Sequence, residues 1–153
     1  MKKSLLILAL MSFIGIAQAT DVGINAGGVS GANAGGIVGV TVGEHFGPVG
    51  VDAGFARGWQ QVTTSDRWTL VGGFDVAKVY GITITPKVGY AYLNNSSTVS
   101  YDRTPSASAG LVGVGASYSI SKDVALTGDY AYQFSGNSRN EGNVLTAGVK
   151  YNF

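Results

Sequence analysis

From Asn143 to Phe153 the chain alternates residue by residue. Leu145, Ala147, Val149, Tyr151 and Phe153 fall on one phase of period two, and Val144, Thr146, Gly148, Lys150 and Asn152 on the other. Side chains of a β-strand point alternately to opposite faces, so the pattern specifies a strand with an apolar face ending in two aromatics and a polar face carrying a charge. A helix would scatter both sets around its circumference. The ring of Phe153, followed by no polar residue, is expected to be buried or anchored in lipid.

The alternation recurs. Eight segments have strand character, at residues 22–29, 34–42, 49–58, 67–77, 82–92, 106–119, 124–134 and 144–153. The connections after the second, fourth and sixth are compact (43–48, 78–81 and 120–123), whereas those after the third, fifth and seventh (59–66, 93–105 and 135–143) are polar and mostly longer. Only the first connection, 30–33, breaks the contrast by being short. Short turns at one rim and longer loops at the other mark a transmembrane β-barrel, and an even strand number returns both chain ends to the short-turn rim. Pro86 has no N–H to give a neighbouring strand, so a bulge is expected in the fifth segment.

The two phases also sort by size. In the seventh segment Val124, Leu126, Gly128, Tyr130, Tyr132 and Phe134 alternate with Ala125, Thr127, Asp129, Ala131, Gln133 and Ser135. The six Phe, eight Tyr and two Trp include one, Phe13, near the N-terminus; of the other fifteen, twelve fall on the apolar phase and Phe46, Tyr80 and Tyr101 lie in connections. The polar phase is small, rich in Gly, Ala, Ser and Thr. Small polar residues fit the lumen of a narrow barrel and large apolar ones fit lipid, whereas a soluble sandwich would turn its large rings to a core. Trp59, Trp68, Tyr92, Tyr132 and Phe134 lie beside the longer loops, and Tyr118, Tyr151 and Phe153 beside the short turns. These are the two aromatic girdles that amphipathic rings form at membrane interfaces.

Lys2 and Lys3, the apolar run 5–16 and Ala17-Gln18-Ala19 have the order of a signal peptide: a basic start, a stretch too short for a bilayer and a small-x-small cleavage site. Residues 1–19 are therefore expected to be removed, leaving 20–153 as one barrel domain. The leader takes two of the ten Lys+Arg, so eight cations face nine Asp+Glu and the net charge falls from +1 to about −1. A near-neutral chain without basic clusters leaves no footprint for nucleic acid. With no cysteine there is no disulfide framework or thiolate site, no His/Asp/Glu group has metal-ligand spacing, and no cofactor is expected. After the leader no apolar run approaches the ~20 residues of a membrane helix, so a membrane location requires a closed barrel, in which every backbone group is satisfied.

The signal peptide, the eight alternating segments and the terminal Tyr151-Asn152-Phe153 resemble the small eight-stranded bacterial outer-membrane β-barrels, the group of OmpA-like transmembrane domains and of OmpX-type and opacity-type porin-like proteins. The resemblance covers the whole mature chain. It implies an all-β, eight-stranded antiparallel up-and-down transmembrane barrel in the outer membrane of a Gram-negative cell, in contact with lipid and lipopolysaccharide, and a monomer. It also implies insertion by the barrel-assembly machinery, with Val149, Tyr151 and Phe153 as the assembly signal. Relatives serve in adhesion, serum resistance and envelope integrity; the loops here are shorter than in adhesive members.

The polar phase carries Asp52, Asp75, Lys87, Asp129 and Lys150, with Arg67 at the loop end of the fourth segment. Hairpin pairing brings Asp129 toward Lys150 and Asp52 toward Asp75. Eight strands leave an interior just filled by side chains, which favours a lumen plugged by ion pairs over a charge-gated pore. His45, the one histidine, sits in the 43–48 turn with no serine beside it, as a solvated turn residue rather than a catalytic base. The pairs Gly27-Gly28 and Gly35-Gly36 and the Gly113-Val114-Gly115 run precede no helix and are not phosphate loops. Arg57, on the apolar phase beside Trp59, could reach lipopolysaccharide phosphates; Arg103 and Arg139 read as surface charge. The stretch 94–103 is the longest exposed segment and the best candidate for contact with a partner. The expected function is a non-enzymatic barrel with an envelope-structural or surface-interaction role. A narrow porin-like channel is the alternative, with a lipid-modifying enzyme or a soluble secreted β-protein behind it.

Overall fold

A computed structural model describes residues 21–31, 34–60, 63–97, 106–136 and 141–153. The expected signal peptide lies outside them. Among the described residues there are nine strands: β1 (Asp21–Val29), β2 (Gly35–Phe46), β3 (Val49–Gln60), β4 (Thr63–Phe74), β5 (Ala77–Val79), β6 (Ile82–Ser97), β7 (Ala107–Ser119), β8 (Val124–Phe134) and β9 (Gly142–Asn152). They make a barrel of eight antiparallel staves, because β5 continues the stave that β4 begins. β4 pairs with β6 as far as Gly73↔Lys87, and β5 takes over at Ala77↔Ile84. β1 closes the cylinder by pairing with β9 from Asp21↔Asn152 to Val29↔Val144. Closure leaves no open edge, as a sheet in hydrocarbon requires.

The apolar phase faces outward. Ile24, Val88 and Leu145 are 61–66% exposed, and Val38, Val40, Leu70, Val112, Val114, Leu126, Tyr130 and Val149 are exposed beside them. The buried hydrophobics (Ile37, Ala91, Leu93, Ala109, Leu111, Ala125 and Val144) all point into the lumen. A water-soluble chain hides large aliphatic side chains and shows polar ones, so this barrel is inverted relative to a soluble fold.

The short turns gather at one rim with both strand ends Asp21 and Asn152. Gly47 and Pro48 join β2 to β3, and Tyr80 and Gly81, at φ 51° and 82°, make the two-residue turn with positive φ at both positions that matches hairpin twist. At the other rim the strands run further than their polarity implied. Within the expected loop 59–66, β3 runs on to Gln60 and β4 starts at Thr63, and β6 continues through Asn94 and Asn95 to Ser97. Polar residues there continue the ladder, with Thr64 and Asp66 outward and Ser65 and Arg67 inward.

The irregularity expected at Pro86 lies on the neighbouring stave. Pro86 keeps its place opposite Val114 of β7, while the partner chain between Phe74 and Ala77 gains one residue relative to β6. The extra residue lets Val76 N–H donate to Ile84 O at 3.0 Å and Asp75 N–H to Pro48 O at 2.7 Å, so no donor is wasted opposite the ring.

Candidate functional site: the lumen

Continued at period two, β1 turns Asp21, Gly23 and Asn25 inward, and β2 turns Thr41, Gly43 and His45 inward. With Asp52 of β3, Lys87 of β6, Asp129 of β8 and Lys150 of β9 they assemble an alternating belt of charge across the lower lumen. Lys87 Nζ donates to Asp129 Oδ1 at 2.6 Å and lies 3.8 Å from Asp52 Oδ2. Lys150 Nζ lies 3.3 Å from Asp52 Oδ1 and 3.2 Å from Asp21 Oδ1, and His45 Nε2 lies 3.2 Å from Asp21 Oδ2. Asp21, fully buried, is thus held between a lysine and the histidine. Every carboxylate of the belt faces a cation, which makes charge at this depth tolerable. Lumenal glycines provide the room. A Cβ on Gly115 would meet Asp129 Oδ1 at 2.6 Å and Lys87 Cε at 2.8 Å, and one on Gly43 would meet the carboxylates of Asp52 and Asp21.

The partners differ from the hairpin expectation. In the β8–β9 register Asp129 opposes Thr146 and Lys150 opposes Ala125, four residues away, so Lys150 pairs instead with Asp21 over the β1–β9 seam and with Asp52 of β3, and Asp129 with Lys87 of β6. Asp52 opposes Val71, not Asp75. Asp75, beside the bulge, lines the lower cavity without joining the belt, and its Oδ1 accepts from Thr85 Oγ1 at 2.6 Å. His45 belongs to a strand, not to a solvated turn. Gly43, which looks like a turn residue, is needed to clear Asp21 and Asp52, so β2 runs three residues past it.

The upper lumen is mixed, where small polar side chains were expected to fill most of it: Ser65 and Gln133 are buried there beside larger apolar residues. Ala91, Leu93, Ala109 and Leu111 form a buried cluster with Val71 against it, and Ile37 and Val144 are buried inward as well. Among them sits Arg67, 5% exposed. Two cavities meet the charge belt: one of about 260 Å³ toward the short-turn rim, the other of about 140 Å³ toward Arg67. Asp52, Lys87 and Asp129 line both.

On the outside, Trp59, Tyr118, Tyr132, Phe134, Tyr151 and Phe153 are exposed, while Trp68 and Tyr92 face each other across β4 and β6, half-buried. Tyr151 and Phe153 touch edge to face with centroids 5.1 Å apart. Val149 and Tyr151 lie on the outward face of β9, and Phe153, one residue past its end, is exposed beside Tyr151. Arg57 makes a bidentate pair with Asp66 on the adjacent strand, at 2.7 and 3.0 Å. Arg103, Arg139, Tyr101 and most of the stretch expected to contact a partner lie outside the described residues. Among those described, no His/Cys/Asp/Glu group could hold a metal ion.

The sequence matches no protein-family model and no curated protein. Solved structures match by shape. Neisserial surface protein A superposes with a TM-score of 0.74 at 15% identity over 87% of this chain and 96% of its own. The N-terminal β-barrel domain of Pseudomonas aeruginosa OprF gives 0.71 at 16% identity over 88% and 98%. A major outer-membrane protein of Thermus thermophilus gives 0.61 at 14% identity over 87% and 99%.

Proposed function

From a fold held in common with the small eight-stranded outer-membrane barrels, we propose that this chain resides in a bacterial outer membrane as a non-enzymatic barrel with an envelope-structural or surface-interaction role. The observation that carries the proposal is the inversion of its faces: large aliphatic and aromatic side chains outward around a closed ladder, charges and glycines inward. The lumen acts as a plug. Ion pairs tie β8, β6, β3, β9, β1 and β2 together below, and a cluster of apolar side chains narrows the section above. Arg57 and Asp66, beside Trp59 at the long-loop rim, offer a charged pair to lipopolysaccharide head groups, with Arg57 able to exchange its carboxylate for a phosphate.

A lipid-modifying enzyme needs a nucleophile within reach of its base. The serines that share the lower cavity with His45 are Ser117 and Ser119 of β7, four staves away around an eight-stave barrel and hence on the opposite wall.

The test is fractionation followed by gel mobility in mild SDS with and without boiling. A band from the outer-membrane fraction that migrates faster unboiled supports the proposal, and a soluble protein with no heat shift would overturn it. Planar-bilayer recordings separate plug from channel: a plug gives no steady conductance, while conductance that changes on Lys87 or Asp129 substitution would replace it with the channel reading.

A further inference from the structure

Among the described residues, Arg67 is the one lumenal cation whose circumstances the belt does not explain. Its side chain points inward from β4, is 5% exposed, and neither Nε nor Nη2 has a hydrogen-bond partner. Its cross-strand neighbours are Ala56 and Leu93, which offer no counter-charge. The inward carboxylate nearest along β3 is Asp52, four residues from Ala56, or about 13 Å at ~3.3 Å per residue. Asp52 is already engaged by Lys150 and Lys87, and Asp129 by Lys87. A guanidinium does not shed its proton to escape burial, so Arg67 is a fixed cation with donors to spare.

Those donors line a defined space. The cavity of about 140 Å³ is bounded by Arg67, Thr69, Thr41 and Asn25, which can donate hydrogen bonds, by the apolar side chains of Leu111 and Val144, and at its lower end by Lys87 with its partners Asp52 and Asp129. A hydrogen bond to a charged donor is strengthened where water is excluded. We infer that the lumen holds a small monovalent anion against Arg67, halide-sized or a planar oxyanion such as nitrate or a short carboxylate. The fork of a guanidinium suits the planar species, and a cavity of this size admits a few-atom ion with some of its water, since liquid water occupies ~30 Å³ per molecule, but not a nucleotide or sugar. Exchange runs from the short-turn rim, because the lower cavity shares Asp52, Lys87 and Asp129 with the upper one.

The test uses the folded full-length mature barrel in a zwitterionic detergent at constant ionic strength, with sodium chloride, nitrate, acetate or phosphate exchanged against sodium gluconate, which is too large to enter. Occupancy of the folded state alone raises the melting temperature with anion concentration. The wild type is expected to melt higher in chloride, nitrate or acetate than in gluconate and to broaden the chloride-35 resonance. Arg67→Met should lose both effects. Equal melting in chloride, nitrate, acetate and gluconate, or an increment that survives Arg67→Met as a general salt effect, overturns the site. An increment confined to phosphate overturns the choice of monovalent ion. Should Arg67→Met fail to fold, Ala131→Leu, which fills the cavity from β8 and leaves Arg67 in place, must lose the increment and the broadening; their retention overturns the inference.

Discussion

The Lys87–Asp129 pair provides a quantitative probe of how dry the lumen is. Its charged atoms are 2.6 Å apart and the two side chains are 24% and 33% exposed. At that distance two unit charges attract by about 1.6 kcal/mol in water and by about 6 kcal/mol at an effective dielectric of ~20. Desolvation of both ions offsets most of the difference, so a net coupling of about 2 kcal/mol is expected. The single substitutions should be unequal. Lys87→Met leaves Asp129 without its cation and Asp52 with Lys150 alone, a loss of about 3 kcal/mol; Asp129→Asn leaves Lys87 facing Asp52, a loss of about 1 kcal/mol. In the double variant the losses should fall short of additivity by the coupling energy. Urea unfolding from lipid vesicles, followed by the fluorescence of Trp59 and Trp68, completes the cycle. Arg57–Asp66 on the exposed outer wall serves as the control, with negligible coupling expected. A lumenal coupling as small as that control would mean water screens the belt, and the plug would have to be abandoned.

Other outcomes follow from the same geometry. Lys150→Met should lower the melting temperature, with Asp52→Asn partly rescuing it and Asp129→Asn not, since Lys150 faces Asp52 and Asp21. Gly113→Ala should impair folding, because its Cβ would collide with the backbone at Tyr130 O and Ala131, whereas Gly36→Ala, with nothing within 4 Å, should fold normally; folded yield by heat-modifiable mobility distinguishes them. Val112→Lys, on the outward wall opposite Val88, should cost roughly 2–4 kcal/mol in vesicles if that wall faces hydrocarbon, and almost nothing if it faces water.

Period-two alternation determined the class of fold and the sorting of side chains between the two faces. Val124, Leu126, Tyr130 and Tyr132 had to share a face whatever the register, because pleating is a property of the single strand. For the same reason Asp52, Lys87, Asp129 and Lys150 had to share the other. Continued one residue upstream, the same rule would also have found Asp21, and past Gly43 it would have kept His45 inside. Pairing distances between charges were not legible, because a lysine reaching across a lumen chooses its partner by stagger and closure: Lys150 meets Asp21 through the β1–β9 seam and Asp52 from a wall remote in sequence. The strand ends were not legible at the long-loop rim either, since where water is available a polar residue satisfies strand and loop equally. Nor could the sequence distinguish a lumenal apolar side chain such as Leu111 or Val144 from a lipid-facing one at a single position. Only closure of the eight staves decided that these narrow the upper lumen and strand Arg67 among them, because burial there depends on the opposite wall, which no local pattern encodes.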